Sequence, residues 1–456
     1  MKRVYILLLG LMLGTSACET DLDQTPPNIA NSDSLTDFTG VLNAAYFYQL
    51  ASVTPMAVMG DFRADNAKMI EPPYTEFDIF SGNNLTQMNE QFFRPFYAAM
   101  YKSILSANNV ILNSKNATQV GEAKFLRALS YFKLVRVFGD VSVNLKALPI
   151  VSDYPSFARQ PAADVYNNVI IPDLIDAKAV LSPTRSTIGR ATKYAAQGLL
   201  GKVYMQMGNP LLAEPELAAV VNAAASPGSS DATKFALKTT YAGIFGSAND
   251  LNSEILFATQ ISSSIRDEYA AVSASNFWTW YLGIDTKSIS PVDPSLVTAY
   301  NTNPGDLRKT TNIQVSGANI ISPKYPSSSG PNQDWIELRL ADIILLYAEA
   351  LNENTNAGGA NSVAILNRLD YIRSRAGLAS LSLSTAPTQA AVRAAILKER
   401  RLELAFEGQR WFDLVRTNTV SAEMGATIDS KYYVFPIPIS EITASDNIIT
   451  QNEAYK

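Results

Sequence analysis

The 456 residues carry 47% hydrophobic side chains, a mean hydropathy of +0.01, and 37 basic against 42 acidic groups, enough apolar content for a large core and too little for a membrane-embedded bundle. The acidic balance argues against nucleic acid as the main partner, because phosphate contacts require clustered cations. With no histidine and a single cysteine, the chain lacks Ser-His-Asp and Cys-His machinery, His-ligated zinc, internal disulfides and thiolate metal sites. A carboxylate pair, a Ser-Lys dyad or an oxygen-ligated metal could still be built, but no spacing announces one, and there is no GxxxxGK[ST] phosphate loop. Few enzyme mechanisms therefore remain, and no cofactor or metal is expected.

At the amino terminus Lys2 and Arg3 precede an apolar run, Val4 to Leu13, followed by the small residues Gly14, Thr15, Ser16 and Ala17. Ten apolar residues rise only about 15 Å as a helix, half of the ~30 Å hydrocarbon core, so residues 1–17 read as a cleaved secretion signal. Cys18 would then be the new terminus of a bacterial lipoprotein, carrying acyl chains such as palmitate. Thr15 stands where such sites commonly have leucine, and an ordinary signal with an incidental thiol is the alternative. Losing Lys2 and Arg3 leaves 35 basic against 42 acidic residues, a net charge of −7. Residues 18–34, with Glu19, Asp21, Asp23, Pro26 and Pro27, suit an extended tether of the kind that leads to the surface of Gram-negative cells.

Helical spacing then recurs along the chain. Phe92–Leu112 and Gly121–Phe138 read as one helical hairpin, Asp164–Leu181 and Ala191–Met207 as a second, and Pro210–Ala225 as a further helix. Ala195, Gly198, Gly201 and Gly208 would let neighbouring helices approach closely. A helix pair cannot bury its apolar stripe alone, so pairs stack in the manner of tetratricopeptide (TPR) repeats. From Ser226 to Asp334 the chain turns rich in Ser, Asn, Pro and Gly, which predicts loops and short elements. Leu338–Glu353, Ala360–Arg375 and Pro387 to about Arg416 return to helical periodicity, punctuated by Gly358, Gly359 and Gly377. In the last run Glu399, Glu403 and Glu407 fall four apart on one predicted stripe, where like charges need cations. Arg400, Arg401 and Arg410 stand nearby, which predicts an ion-pair lattice in place of an acid-base site.

Four blocks of this sequence resemble the signatures of the SusD/RagB family: FLRALSYFKLVRVFGDV (Phe125–Val141), RLADIILLYAEALNE (Arg339–Glu353), KERRLELAFEGQRWFDLVR (Lys398–Arg416) and YYVFPIPISEI (Tyr432–Ile442). Two positions depart from the family pattern: Ser142 stands for a proline, and Gln451–Tyr455 reads QNEAY for QNPGY. The resemblance implies a mostly α fold, a TPR-like scaffold of helical pairs with a loop-rich ligand-binding subdomain. The single domain would comprise an N-terminal helical region (35–225), a loop-rich insert (226–334) and a C-terminal helical region (335–456). It also implies a surface-exposed, lipid-anchored outer-membrane protein that captures an oligo- or polysaccharide and hands it to a SusC-like TonB-dependent transporter for nutrient uptake. A peptide- or glycoconjugate-binding relative, or a carboxylate-dependent glycoside hydrolase, are the alternatives.

Sugar rings stack apolar C–H faces on aromatics and offer hydroxyls to planar polar groups, so candidate contacts are loop segments mixing the two. SNFWTWYLG supplies Asn276, Trp278, Trp280 and Tyr281, with both tryptophans on one side of an extended strand; a plug between loops and scaffold is the alternative. GDFRADN with PPYTEFDIF supplies Arg63, Asp65, Asn66, Tyr74 and Phe77; the alternative is a buried salt bridge of Arg63 with Asp65 or Asp61. Trp335 is expected in the core, and Asp293 and Asp306 lack the spacing of a calcium loop.

Overall fold

The helical stretches fold much as their spacing predicts. The computed structural model describes residues 35–456 apart from 71, 83–84, 86–87, 150–152, 154–155, 262–291, 318, 326–331, 355–359 and 383. Among the described residues ten α-helices have eight residues or more: α1 (Thr39–Phe47), α2 (Arg94–Asn113), α3 (Ala117–Phe138), α4 (Ile171–Val180), α5 (Lys193–Gln206), α6 (Pro210–Ala223), α7 (Pro294–Asn301), α8 (Leu340–Asn354), α9 (Ala360–Arg375) and α10 (Gln389–Glu403). Their limits are chemically marked. Asn116 caps α3 by accepting from Thr118 and Gln119 N–H, Thr192 caps α5, Asn209 caps α6 and Thr388 caps α10. Gly139 ends α3 with φ +72°, a conformation that glycine adopts without strain.

Each helix packs on the next in an unbroken series: α1 on α2, α2 on α3, α3 on α4, α4 on α5 and α5 on α6. The series continues from α6 directly to α8, which carries α9 and α10, so the two helical halves share one stack and the chain between them lies outside it. Glycines set the approach. A Cβ on Gly201 would lie 2.5 Å from Leu217 of α6, and one on Gly198 would lie 3.1 Å from Ile343 of α8. Gly208 belongs to a turn (φ +69°) and faces open space. The core runs along the stack through residues such as Phe96, Phe125, Leu126, Leu199 and Leu345.

Within residues 226–334 the described parts are 3₁₀ turns at Ala242–Ile244 and Ser247–Asn249, β3 (Ile255–Thr259), α7, a short helix at Lys309–Asn312, and the hairpin of β4 (Gln314–Ser316) and β5 (Asn319–Ile321). β1 (Val141–Ser142) and β2 (Arg159–Gln160) pair earlier in the chain. β3 pairs antiparallel with β6 (Trp335–Arg339), with Thr259 opposite Trp335 and Ile255 opposite Arg339. Leu338 and Arg339, expected at the start of a helix, are therefore strand residues, and α8 begins at Leu340. The residues from Phe38 to Lys456 form one compact unit.

The predicted run from Pro387 to Arg416 breaks. α10 stops at Glu403, Phe406 and Gly408 take positive φ (64° and 67°), and α11 (Arg410–Arg416) starts afresh. The chain ending still closes the fold through two residues that it keeps of the family pattern: Gln451 donates to Ile437 O and accepts from Ile437 N–H, while Asn452 donates to Phe138 O and Phe435 O. Ser142, standing for proline, donates its hydroxyl to Phe157 O.

Candidate functional site

The segment from Gly60 to Asn66 lies beneath the loop at residues 72–80 and is almost wholly buried. Arg63 donates through Nη1 to Phe77 O (2.7 Å) and Ile79 O (3.2 Å), and its guanidinium lies 3.9 Å from the centre of the Phe80 ring, with Trp411 and Phe435 beyond. Burial lowers its pKa to about 10. It pairs with neither Asp65 nor Asp61. Asp65 instead receives a bidentate pair from Arg410 (2.7 and 2.9 Å) and a third contact from Arg401, whose Nε donates to Asn66 Oδ1. Asp61 accepts from Asn66 Nδ2 and from the backbone N–H groups of Phe406 and Gly408, the two residues that turn the α10–α11 corner. Burial nonetheless raises the Asp61 carboxyl to about 6.

Arg63, Asp65, Asn66 and Phe77 thus turn inward, correcting the expectation that they offer faces to a ligand. Asp65 and Asn66 meet arginines more than 330 residues along the chain, Arg63 meets carbonyls of the neighbouring loop, and the Phe77 ring packs on Phe92. Tyr74 stays half-exposed and accepts from Gln91 Nε2 at 3.0 Å. What Arg63 does is position: it holds two carbonyls of the loop that presents Tyr74. The buried segment itself is tied to the start of α7, because Ala67 pairs with Val292, Asp293 N–H donates to Asn66 O, and Ser295 Oγ donates to Asp65 O. Asn276, Trp278, Trp280 and Tyr281 lie outside the described residues. Asp293 caps α7 and both Asp306 oxygens are held by Arg308, while Trp335 is buried.

The glutamates of the Lys398–Arg416 block meet cations from elsewhere. Arg339 donates to Glu407 through Nε (2.7 Å) and Nη2 (2.8 Å), to Glu254 and Glu403 through Nη1 (2.9 and 2.7 Å), and to Glu403 O through Nη2. Arg308 bridges Asp306, Glu399 and Glu403, Arg375 joins Glu254 to Glu403, and Lys324 reaches Glu407. Burial would raise the Glu403 carboxyl, but Arg375, Arg339 and Arg308 hold it down at about 2. The lattice exists as expected, yet Arg400 and Arg410 serve other acids: Arg400 pairs with Asp342 and Asp413, and Arg410 with Asp65 and Glu423. Glu407 lies past the end of α10 and joins the cluster because the corner turns back.

Two family models match this chain, one described as the SusD family over residues 295–431, the other as starch-binding, associating with outer membrane, over residues 21–205. The chain belongs to the SusD/RagB family. A SusD-like protein of Formosa agariphila, P2, is 27% identical in an alignment that takes in all of both chains. A laminarin-binding SusD-like protein has the same fold (TM-score 0.68, 24% identity, 92% of this chain and 99% of that one). So does surface glycan-binding protein A from Bacteroides fluxus (TM-score 0.72, 21% identity, 92% and 99%). Among the described residues no helix is long and apolar enough to cross a membrane.

In this SusD/RagB chain the motif residues are scaffold. The basic residues of FLRALSYFKLVRVFGDV are consumed inside: Arg127 forks onto Asp173, Lys133 reaches Glu337, and Arg136 sits between the Phe132 and Phe412 rings at 4.3 and 4.5 Å. Sequence reasoning missed a separate aromatic cleft formed by α1, the 188–190 turn and β3. Its one local signal is the Tyr46-Phe47-Tyr48 run at the end of α1.

Proposed function

We propose that this chain is a lipoprotein acylated at Cys18 that captures a glycan at the outer cell surface and passes it to a SusC-like TonB-dependent transporter. The observation that carries the reading is the match of residues 21–205 to the starch-binding, outer-membrane-associating family model. The shared fold with a laminarin-binding protein and a surface glycan-binding protein supports the same ligand class. The ligand face would include the loop surface that Arg63 props from beneath and that presents Tyr74; Trp278, Trp280, Tyr281 and Asn276 are proposed as further contacts, by residue type alone, for their stacking faces and amide. Catalysis has no place in this reading: Glu399, Glu403 and Glu407, the acids whose spacing could mimic a catalytic set, are buried among guanidinium groups.

Calorimetry against a panel of glucans and other polysaccharides tests this. Trp278→Ala with Trp280→Ala should weaken binding tenfold or more, and an unchanged affinity would discard that face. Sugar release from any bound glycan by the purified chain would return the glycosidase reading. Cys18→Ala should move the protein out of the outer-membrane fraction.

A further inference from the structure

A cleft of about 530 Å³ opens between α1, the turn at Ile188–Arg190 and β3, within the range of small-molecule sites (roughly 300–1,000 Å³). It shares no residue with the loop face above. Tyr46, Phe47 and Phe257 give it aromatic walls; the Tyr46 and Phe257 ring centres are 6.2 Å apart, and Phe125 backs Phe257 at 4.8 Å. Its floor is closed chemically: Gln49 donates to Ser103 and Ser130 and accepts from Lys133, and Thr259 donates to Glu337. Its rim is open, with Asn43 and Gln260 exposed; Gln260 donates to Ile188 O, which leaves its amide oxygen toward solvent.

The decisive group is Arg190. Its guanidinium lies 4.7 Å over the Tyr46 ring with Nε 3.3 Å from Glu122 Oε2, yet its two terminal nitrogens make no hydrogen bond to any described residue. The supports beneath it are fixed. Tyr46 OH donates to Glu122 Oε2 at 2.5 Å and accepts from Ala191 N–H at 3.0 Å, so ring, carboxylate and guanidinium form a closed triangle with one face outward. Donors held in place before a ligand arrives give affinity without an ordering cost. Glu122 balances the Arg190 charge, so the fork is set for neutral oxygens, such as neighbouring ring hydroxyls, more than for an anion.

We propose that this cleft is a second sugar-binding site, taking a neutral saccharide whose ring lies against Phe47, above the buried Phe257, while adjacent hydroxyls accept from the Arg190 terminal nitrogens. A glycan-binding protein with two separate sites holds a long chain more tightly than either site alone, because the second contact becomes intramolecular. The proposal rests on the glycan reading for the choice of probe only.

The test is deuterium exchange of the mature acylated chain in detergent, with oligosaccharides from partial hydrolysis of laminarin and of starch. Protection is expected in peptides spanning residues 43–50 and 186–191, and it should persist when Trp278 and Trp280 are both alanine. Arg190→Gln with Phe47→Ala should remove that protection and lower affinity for the longer oligosaccharides at least tenfold, with an unchanged melting temperature. Binding that protects other peptides only, or that the Arg190/Phe47 variant retains in full, overturns the second site while the glycan reading stands. Binding lost entirely with Trp278 and Trp280 also overturns it, and failure of every probe to bind overturns both.

Discussion

The corner between α10 and α11 and the cleft between α1 and β3 each set an arginine beside a glutamate, and they leave it in opposite conditions. At the corner all five N–H groups of Arg339 are engaged, three acids converge on it, and it is 1% exposed. In the cleft Arg190 has one carboxylate neighbour on Nε and an unengaged fork facing an aromatic cavity. Full mutual satisfaction marks groups that hold the chain to itself. Incomplete satisfaction beside open rings marks groups prepared for something else. A buried ion lattice is weak evidence for net stability, since desolvating the charges offsets most of their attraction. Its effect is to fix geometry: Glu254 before β3, Arg339 in β6, Arg375 in α9 and Glu403 at the end of α10 can meet only if the loop-rich stretch and the carboxy-terminal helices dock in one way.

The comparison breaks most visibly at Arg339. Arg339→Ala leaves Glu254, Glu403 and Glu407 buried with fewer cations, and removing one partner of such a set costs about 3–5 kcal/mol. We expect a urea midpoint lowered by a third or more, or failure to accumulate in soluble form. A change under about 1 kcal/mol would mean that the lattice constrains nothing.

Acid titration separates the two kinds of carboxyl more gently. Glu403 is held at about 2 in the folded protein, so its contribution is complete above the ordinary carboxylate range and disappears as pH falls from about 4.5 towards 2. Asp61 and Asp78 are raised to about 6, chiefly by burial, so they favour the folded state when protonated, and that contribution is lost as pH rises through 6. For these groups stability should therefore be greatest near pH 4, fall below it as Glu403 protonates, and fall from about 4 to 6 as Asp61 and Asp78 ionise, levelling off above 6. Urea midpoints at pH 2, 4 and 7 check this, and a steady rise from 4 to 7 would contradict the assignment.

The sequence made the helices legible because their burial is one-sided and local. Ala360–Arg375 forms over the expected limits, and the first hairpin differs by a few residues at its ends. The break at residues 404–409 was hidden because Leu404, Ala405 and Phe406 continue the helical period. Only Gly408 hinted at it, and what bends the chain there is Asp61, over 340 residues away, taking the Phe406 and Gly408 N–H groups. β6 escaped notice for the same reason: Trp335–Arg339 is strand only because β3 lies beside it. At the candidate sites the residue types were visible but their partners were not. Arg63 stands two positions from both Asp61 and Asp65 and bonds to neither, because the carbonyls of Phe77 and Ile79 and the Phe80 ring reach it first. The cleft draws on residues 43–50, 188–190 and 257–260, three segments whose meeting depends on α1 stacking against the β3 end of the scaffold.

The smallest expected effect sharpens the contrast from the other side. Arg190→Gln removes a cation whose side chain is 27% exposed, and Glu122 keeps its hydrogen bond from Tyr46 OH. Arg190 lowers the Glu122 carboxyl against the upward push of burial, so the variant should let Glu122 titrate at higher pH, and protonation offsets much of the lost attraction. Partly exposed pairs of this kind contribute about 0–1 kcal/mol, so the urea midpoint should shift by little more than its experimental error. Should Arg190→Gln destabilise the fold as much as Arg339→Ala, the guanidinium would be one more scaffold group and the cleft a seam. If the midpoint holds while sugar protection at residues 43–50 is lost, one arginine in this chain serves a ligand and the other serves the fold.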